Sequence, residues 1–182
     1  EKRKELREYK EVILGRKIKT NLSLNALQLM KERYLLRDKQ GEICETPEEL
    51  FWRVAKNLAA AEKRFSKNGK GMAKAFFHVM NNLDFLPGTP ILMNAGTKVQ
   101  QLASSFVLPI EDSIPGIFEA LKQAAIIHQT GAGTGFAVHT LRPKQALVTT
   151  TQGYASGPVS FLKVFDTATG VMKQGSKRRG AN

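Results

Sequence analysis

Residues 101–136, QLASSFVLPIEDSIPGIFEALKQAAIIHQTGAGTGF, decide how this chain folds. The run from Gln101 to Leu108 reads as a strand, and Asp112 and Ser113 offer capping groups for a helix over residues 114–129. Ile117, Phe118, Leu121 and Ala125 recur at helical spacing and supply its inner face. Gly131, Gly133 and Gly135 form a turn, and residues 136–141 read as a second strand. Residues 143–156 are a long polar excursion, and Pro158 begins a last helix carrying Phe161, Leu162, Phe165 and Ala168. Strand, helix, strand and helix in that order specify an α/β architecture, compatible with parallel strands.

Upstream the signals are helical. Residues 1–21 form a charged arm. Ser23 is placed to cap a helix in which Leu24, Leu27, Met30 and Tyr34 share a face, ending within residues 37–41. Thr46, Pro47 and Glu49 then combine a capping hydroxyl, a proline at the first position and a glutamate three residues after the cap. Leu50, Phe51, Val54, Leu58, Ala61 and Phe65 supply the apolar face of that second helix, and a third covers residues 72–83. Residues 22–84 therefore read as a small helical domain. Composition changes at Phe85, where Pro87, Gly88 and Pro90 mark an irregular buried segment opening a larger domain over residues 85–182.

At 182 residues with 42% hydrophobic content the chain is long enough to bury a core. Its formal net charge of +12 favours anionic partners: nucleotides, nucleic acid or an acidic protein face. Basic residues are not interleaved with aromatic ones as a single-strand-binding platform requires, which favours a nucleotide over nucleic acid. The single cysteine, Cys44, rules out an internal disulfide and a multi-cysteine metal site, and it fits a reducing cytoplasm. His78, His128 and His139 lack ligand spacing, and His78 and His128 fall in helical patterns as structural residues. No apolar run spans a bilayer and no signal peptide is visible, so the expectation is a cytoplasmic protein. A chain that opens on Glu1 reads as part of a longer one.

Four segments could carry chemistry. Lys173, Gln174, Lys177, Arg178 and Arg179 surround Gly175 and precede Gly180, as in a loop that meets a phosphorylated ligand or in a solvated basic tail. The glycines of residues 131–135 precede a strand, unlike a dinucleotide fingerprint, and no Gly-Lys-Ser/Thr follows them, so they mark close approach to a ligand or to a packed neighbour. Asp112 and Ser113 could hold a ribose or base, or simply cap their helix. Arg142 could meet a phosphate or sit as a solvated strand end. No paired carboxylates, Ser/His/Asp order or metal cluster can be drawn.

In this order, residues 85–97 (FLPGTPILMNAGT), 101–117 (QLASSFVLPIEDSIPGI), 131–144 (GAGTGFAVHTLRPK) and 156–182 (SGPVSFLKVFDTATGVMKQGSKRRGAN) resemble the catalytic subunit of ribonucleotide reductase. The likeness covers residues 22–182 and is closest to the adenosylcobalamin-dependent class, because the helical region leads in without an evident ATP-cone domain. The resemblance implies a helical domain followed by the opening strands of a ten-stranded α/β barrel. It places Thr89, Ser104, Ala132 and Gly133 at the ribonucleotide site. It places Asp112, Ser113, Ile114 and Arg142 at the site for a deoxynucleoside triphosphate effector. The segment after Arg142 is similar to the family's first specificity loop, and residues 173–181, with Lys173, Gln174, Lys177, Arg178 and Arg179, to its second.

One departure limits the expected activity. The family has a redox cysteine before the phenylalanine of Gln-Leu-x-Ser-Cys-Phe, and this chain has Ser105 there. Reduction of the ribose consumes a dithiol, which a serine hydroxyl cannot replace. The complete enzyme is thus expected to be an adenosylcobalamin-dependent ribonucleoside-diphosphate reductase acting in DNA precursor synthesis, while this chain alone is expected to be inactive. The alternative is a non-catalytic deoxynucleotide-binding or assembly module, and nonspecific nucleic-acid binding is a third. Expected partners are the ribonucleotide, the effector, and either a second copy or a chain that completes the barrel.

Overall fold

The chain divides into two compact units, residues 1–102 and 103–182. The computed structural model describes residues 4, 15, 21–65, 69–172 and 180–181. The expected arm over residues 1–21 thus lies almost wholly outside the described residues.

In the first unit, Ser23 Oγ accepts from the Ala26 amide and starts α1, Leu24–Arg33. This helix stops earlier than its periodicity predicts, because the chain turns at Tyr34 and pairs Arg37 with Ile43 in an antiparallel bridge. Thr46 and Glu49 close a reciprocal capping box at the start of α2, Pro47–Ala59. Leu50, Phe51, Val54, Ala55 and Ala59 are buried along it. Residues Ala60–Arg64 tighten into a 3-10 turn, which increases the rotation from one residue to the next. The apolar stripe therefore ends at Ala59: Ala61 is exposed, and Phe65, expected in the core, is 83% exposed.

The next helix, α3, runs over Gly69–Asn81, and the short α4 over Thr89–Asn94. Trp52 of α2 stacks on Phe77 of α3 with ring centroids 4.1 Å apart. Phe51, Phe77, Met80, Leu27 and Leu35 belong to one core, where each such side chain contributes about 1.5–3 kcal/mol by leaving water. The segment expected to be irregular and buried proves mixed. Pro87 and Pro90 are buried, α4 supplies regular structure, and Phe85 and Leu86 are exposed. The division of the chain falls after Leu102, later than the change in composition at Phe85.

The second unit starts with β1, Ser105–Leu108, continues through α5, Ile114–Gln129, and returns in β2, Gly133–Phe136. The two strands are parallel, with Ser105 opposite Gly133 and Leu108 opposite Phe136. A parallel pair needs a crossover, and α5 provides it. The second strand thus begins inside the glycine-rich segment, not at Phe136, and Val138–Thr140 form a 3-10 turn where strand was expected. Glycine is compatible with this strand because another stretch of backbone approaches it: a Cβ on Gly133 would lie 3.2 Å from the Ala181 carbonyl oxygen.

Residues Leu147–Val148 (β3) and Gly153–Tyr154 (β4) form a small antiparallel hairpin within the polar excursion. The last helix, α6, spans Pro158–Met172. Its Phe165 packs on Phe136 with ring centroids 4.3 Å apart, in a core with Ile110, Ile117, Ala120 and Leu141. The buried face of α5 runs through Ile117, Ala120, Ala124 and His128, so Phe118, expected inward, is half exposed. The architecture is a helical unit followed by a mixed α/β unit; among the described residues the strands form two two-stranded sheets and no closed barrel.

Candidate functional site

The parallel pair brings together three of the four residues expected at the ribonucleotide and Ser105, the residue expected at the redox position. Ser105 is exposed on β1 directly across from Gly133, and the carbonyl of the preceding Ser104 accepts from the Gly133 amide at 2.9 Å. Ala132, beside Gly133, is buried. The Gly133 amide is therefore committed to the sheet, and what Ser104 and Ser105 present to a ligand is hydroxyl groups. The fourth residue, Thr89, begins α4 in the first unit, where its hydroxyl lies 3.4 Å from Tyr34 Oη.

A second cluster forms where α5 begins. Arg142 donates from Nε to Asp112 Oδ2 at 2.7 Å, from its amide to Oδ1 at 3.3 Å, and from Nη2 to the Asp112 carbonyl at 3.2 Å. This two-sided grip fixes the guanidinium plane, while Nη1 has no partner among the described residues. The Arg142 hydrogen bond holds the Asp112 carboxyl below the ordinary carboxylate range, against a smaller opposing push from burial. Ser113, one residue on, is the helix cap and accepts from the Gly116 amide at 3.1 Å. Ile114 leaves 59% of its surface exposed beside them. Asp112, Ser113, Ile114 and Arg142 thus form one surface: a semi-exposed ion pair, a spent capping hydroxyl and an open apolar side chain.

Lys173, Gln174, Lys177, Arg178 and Arg179 lie outside the described residues. The backbone immediately after them is placed. The Ala181 carbonyl accepts from the Thr134 amide of β2 at 2.8 Å, and Gly180 is buried against the His128 ring. His128 Nε2 lies 2.8 Å from Thr134 Oγ1, and the imidazole is 2% exposed. Burial lowers the His128 pKa from 6.5, and a backbone hydrogen bond with Ala181 opposes that shift. Helical periodicity marked His128 as structural but could not supply its partners. The available signal was its register with Ile117, Ala120 and Ala124 on one face of α5.

No described helix is long and apolar enough to cross a membrane, and no three His, Cys, Asp or Glu side chains among the described residues could hold a metal ion. Comparison with known proteins divides the chain at the same place as its fold. Residues 20–100 match the family model described as ribonucleotide reductase, all-alpha domain, and residues 103–182 the one described as ribonucleotide reductase, barrel domain. A vitamin B12-dependent ribonucleoside-diphosphate reductase of Mycobacterium tuberculosis (strain H37Rv) is 47% identical over 182 residues, covering 100% of this chain and 26% of the relative. One from Thermoplasma acidophilum is 41% identical over 238 aligned positions, covering 100% of this chain and 31% of the relative. The Arabidopsis thaliana ribonucleoside-diphosphate reductase large subunit is 36% identical over 152 residues, 82% of this chain and 18% of that protein. The chain thus spans less than a third of the length of these relatives.

Proposed function

Given that this chain belongs to the ribonucleotide reductase large-subunit family, we propose that it is the N-terminal portion of an enzyme converting ribonucleotides to 2′-deoxyribonucleotides. The observation that carries this reading is the order of the two family matches, an all-alpha domain and then a barrel domain, over nearly the whole chain. Ser104 and Ala132 with Gly133 border the ribonucleotide. Asp112, Ser113, Ile114 and Arg142 receive a deoxynucleoside triphosphate effector: the Arg142 Nη1 edge is oriented toward a phosphate by the carboxylate behind it. Lys173, Lys177, Arg178 and Arg179 contribute positive charge toward the effector's phosphates, and Gln174 a neutral amide. The complete protein acts as a dimer or with a chain that finishes the barrel.

Adenosylcobalamin is the cofactor proposed for the complete enzyme, by likeness to the vitamin B12-dependent relatives, and it supplies the initiating radical when bound. The described residues offer no group of metal ligands, and the imidazole of His128 is engaged by Thr134. No residue of this chain is assigned to holding the cofactor.

Ser105 sets the limit of the chemistry. Replacing the C2′ hydroxyl by hydrogen takes two electrons and releases water; in the family a cysteine pair gives those electrons and becomes a disulfide. Ser105 has no thiol to oxidise, and the exposed Cys44 lies in the other unit. This favours a second reading, a deoxynucleotide-binding or assembly module without turnover. The two separate in the full-length protein containing this chain. Introducing Ser105→Cys is expected to raise thioredoxin-dependent deoxyribonucleotide formation from background to a measurable rate. A folded, effector-binding Ser105→Cys protein that stays at background would leave the non-catalytic module.

A further inference from the structure

We propose that His128 is a positioning residue, whose buried imidazole latches the backbone at Gly180 and Ala181 onto β2 and so fixes the direction of the Ala132–Gly133 backbone. The inference rests on the reading of those two residues as ribonucleotide contacts.

Three contacts of different kinds converge here. Thr134 gives its amide to the Ala181 carbonyl at 2.8 Å, so Ala181 occupies an edge of β2. The Thr134 hydroxyl and His128 Nε2 are 2.8 Å apart in a site closed to solvent. Packing then leaves no space for a side chain at Gly180, where a Cβ would lie 2.7 Å from His128 Cβ and Cγ and 2.9 Å from Cδ2. The imidazole is thus covered by the Gly180 backbone, and its Nε2 edge is spent on the strand.

The consequence is directional. Gly131, at φ +82°, ends α5 in the left-handed region, and its amide bonds the His128 carbonyl at 2.9 Å. Only Ala132 then separates that cap from β2. The backbone at Ala132 and Gly133 is therefore held on one side by the end of α5 and on the other by Thr134, and His128 participates in both. Movement of Ala181 away from β2 frees the Thr134 amide and releases one of these restraints.

The test uses the full-length protein, with two readouts: hydrogen–deuterium exchange at the residue 134 amide, and the dissociation constant for CDP. His128→Ala and Thr134→Val are each expected to speed that exchange and weaken CDP binding about tenfold, the scale of one lost buried hydrogen bond. Thr134→Ser, which keeps the hydroxyl, should match the unsubstituted protein in both. His128→Gln, with an amide that can bond the Thr134 hydroxyl, should recover part of the loss, which a role in bulk packing would not give. If His128→Ala does not fold, Thr134→Val and His128→Gln decide. Slow exchange at residue 134 in Thr134→Val overturns the latch, and unchanged CDP affinity with fast exchange overturns its positioning role. Failure of the unsubstituted protein to bind CDP overturns the functional reading instead, so the two failures register in different measurements.

Discussion

The two units each contain an arginine–carboxylate pair, and they use it in opposite ways. In the helical unit, Arg53 and Glu45 leave only 12% and 6% of their side-chain surface exposed. Arg53 also donates to the Ala95 and Leu92 carbonyls, while Glu45 accepts from the Leu36 amide at 3.2 Å. Every strand of that network ends on backbone, so it ties the loop before α2 to the end of α4. In the α/β unit, Arg142 and Asp112 leave 37% and 35% exposed, and one guanidinium nitrogen has no partner among the described residues. The same chemistry therefore fastens structure where water is excluded and keeps a cation available where it is not.

The two cores differ in size. The helical unit gathers Leu22, Leu27, Leu35, Leu50, Phe51, Val54, Phe77 and Met80 into one cluster. The α/β unit has a smaller one, and both units leave large apolar side chains open to water, Phe65 and Phe85 in the first and Val107, Val159 and Val171 in the second.

The largest effect should come from breaking the buried pair. Arg53→Ala leaves the Glu45 carboxylate without its partner and is expected to cost the helical unit about 3–5 kcal/mol. Denaturant unfolding followed by fluorescence of Trp52, the chain's only tryptophan, reads that unit alone. A loss below 1 kcal/mol would remove the contrast between the two pairs.

A smaller effect is expected from pH in the other unit. The folded pKa of His128 lies below its unfolded value of 6.5, so the unfolded chain binds the proton more readily. Stability of this unit should fall as pH is lowered through 6.5 toward the folded pKa and recover above it, and His128→Gln should flatten that window. Asp112 would act in a separate range, above 3.8, but its pair is open to water and no resolvable shift of the melt is expected from it. Thermal melts between pH 5 and 8, with and without His128→Gln, resolve the His128 window.

Thr46→Ala removes one half of the capping box and should cost about 1 kcal/mol, again visible through Trp52. The least stability change is expected from Asp112→Ala, whose pair is open to water, so that the melt stays within error of the unsubstituted protein. Its effect should appear in calorimetric titration with dATP or dTTP, as weaker binding. A melt that shifts as much as for Thr46→Ala would mean that Arg142 and Asp112 serve structure as Arg53 and Glu45 do.

Much of this was legible in the linear chain wherever the information is local. Thr46, Pro47 and Glu49 satisfy each other within one helical turn, and the α5 limits follow from the Ser113 hydroxyl and the glycine after Thr130. The fate of the apolar stripe beyond Ala59 was not legible, because a change from 3.6 to about three residues per turn redirects Phe65 without leaving a compositional mark. Nor was the start of β2: glycines read locally as a turn, and only the ladder to Ser105 reveals a strand. The hairpin around Val148 and Gly153 is too short to show alternation.

By itself, then, the sequence determined the order of the long helices and of the parallel strands, the helix caps, the positions of the charged and hydroxyl groups, and the serine at the expected redox position, since each is a matter of residue identity or near-neighbour spacing. Tertiary structure decided which of those groups remain available. It committed the Gly133 amide to Ser104, turned Asp112 toward Arg142 instead of the helix cap, and enclosed His128 between Thr134 and the Gly180–Ala181 backbone. Those partners are distant in the chain, and a hydrogen-bonding group's capacity is finite, so only the folded arrangement assigns it.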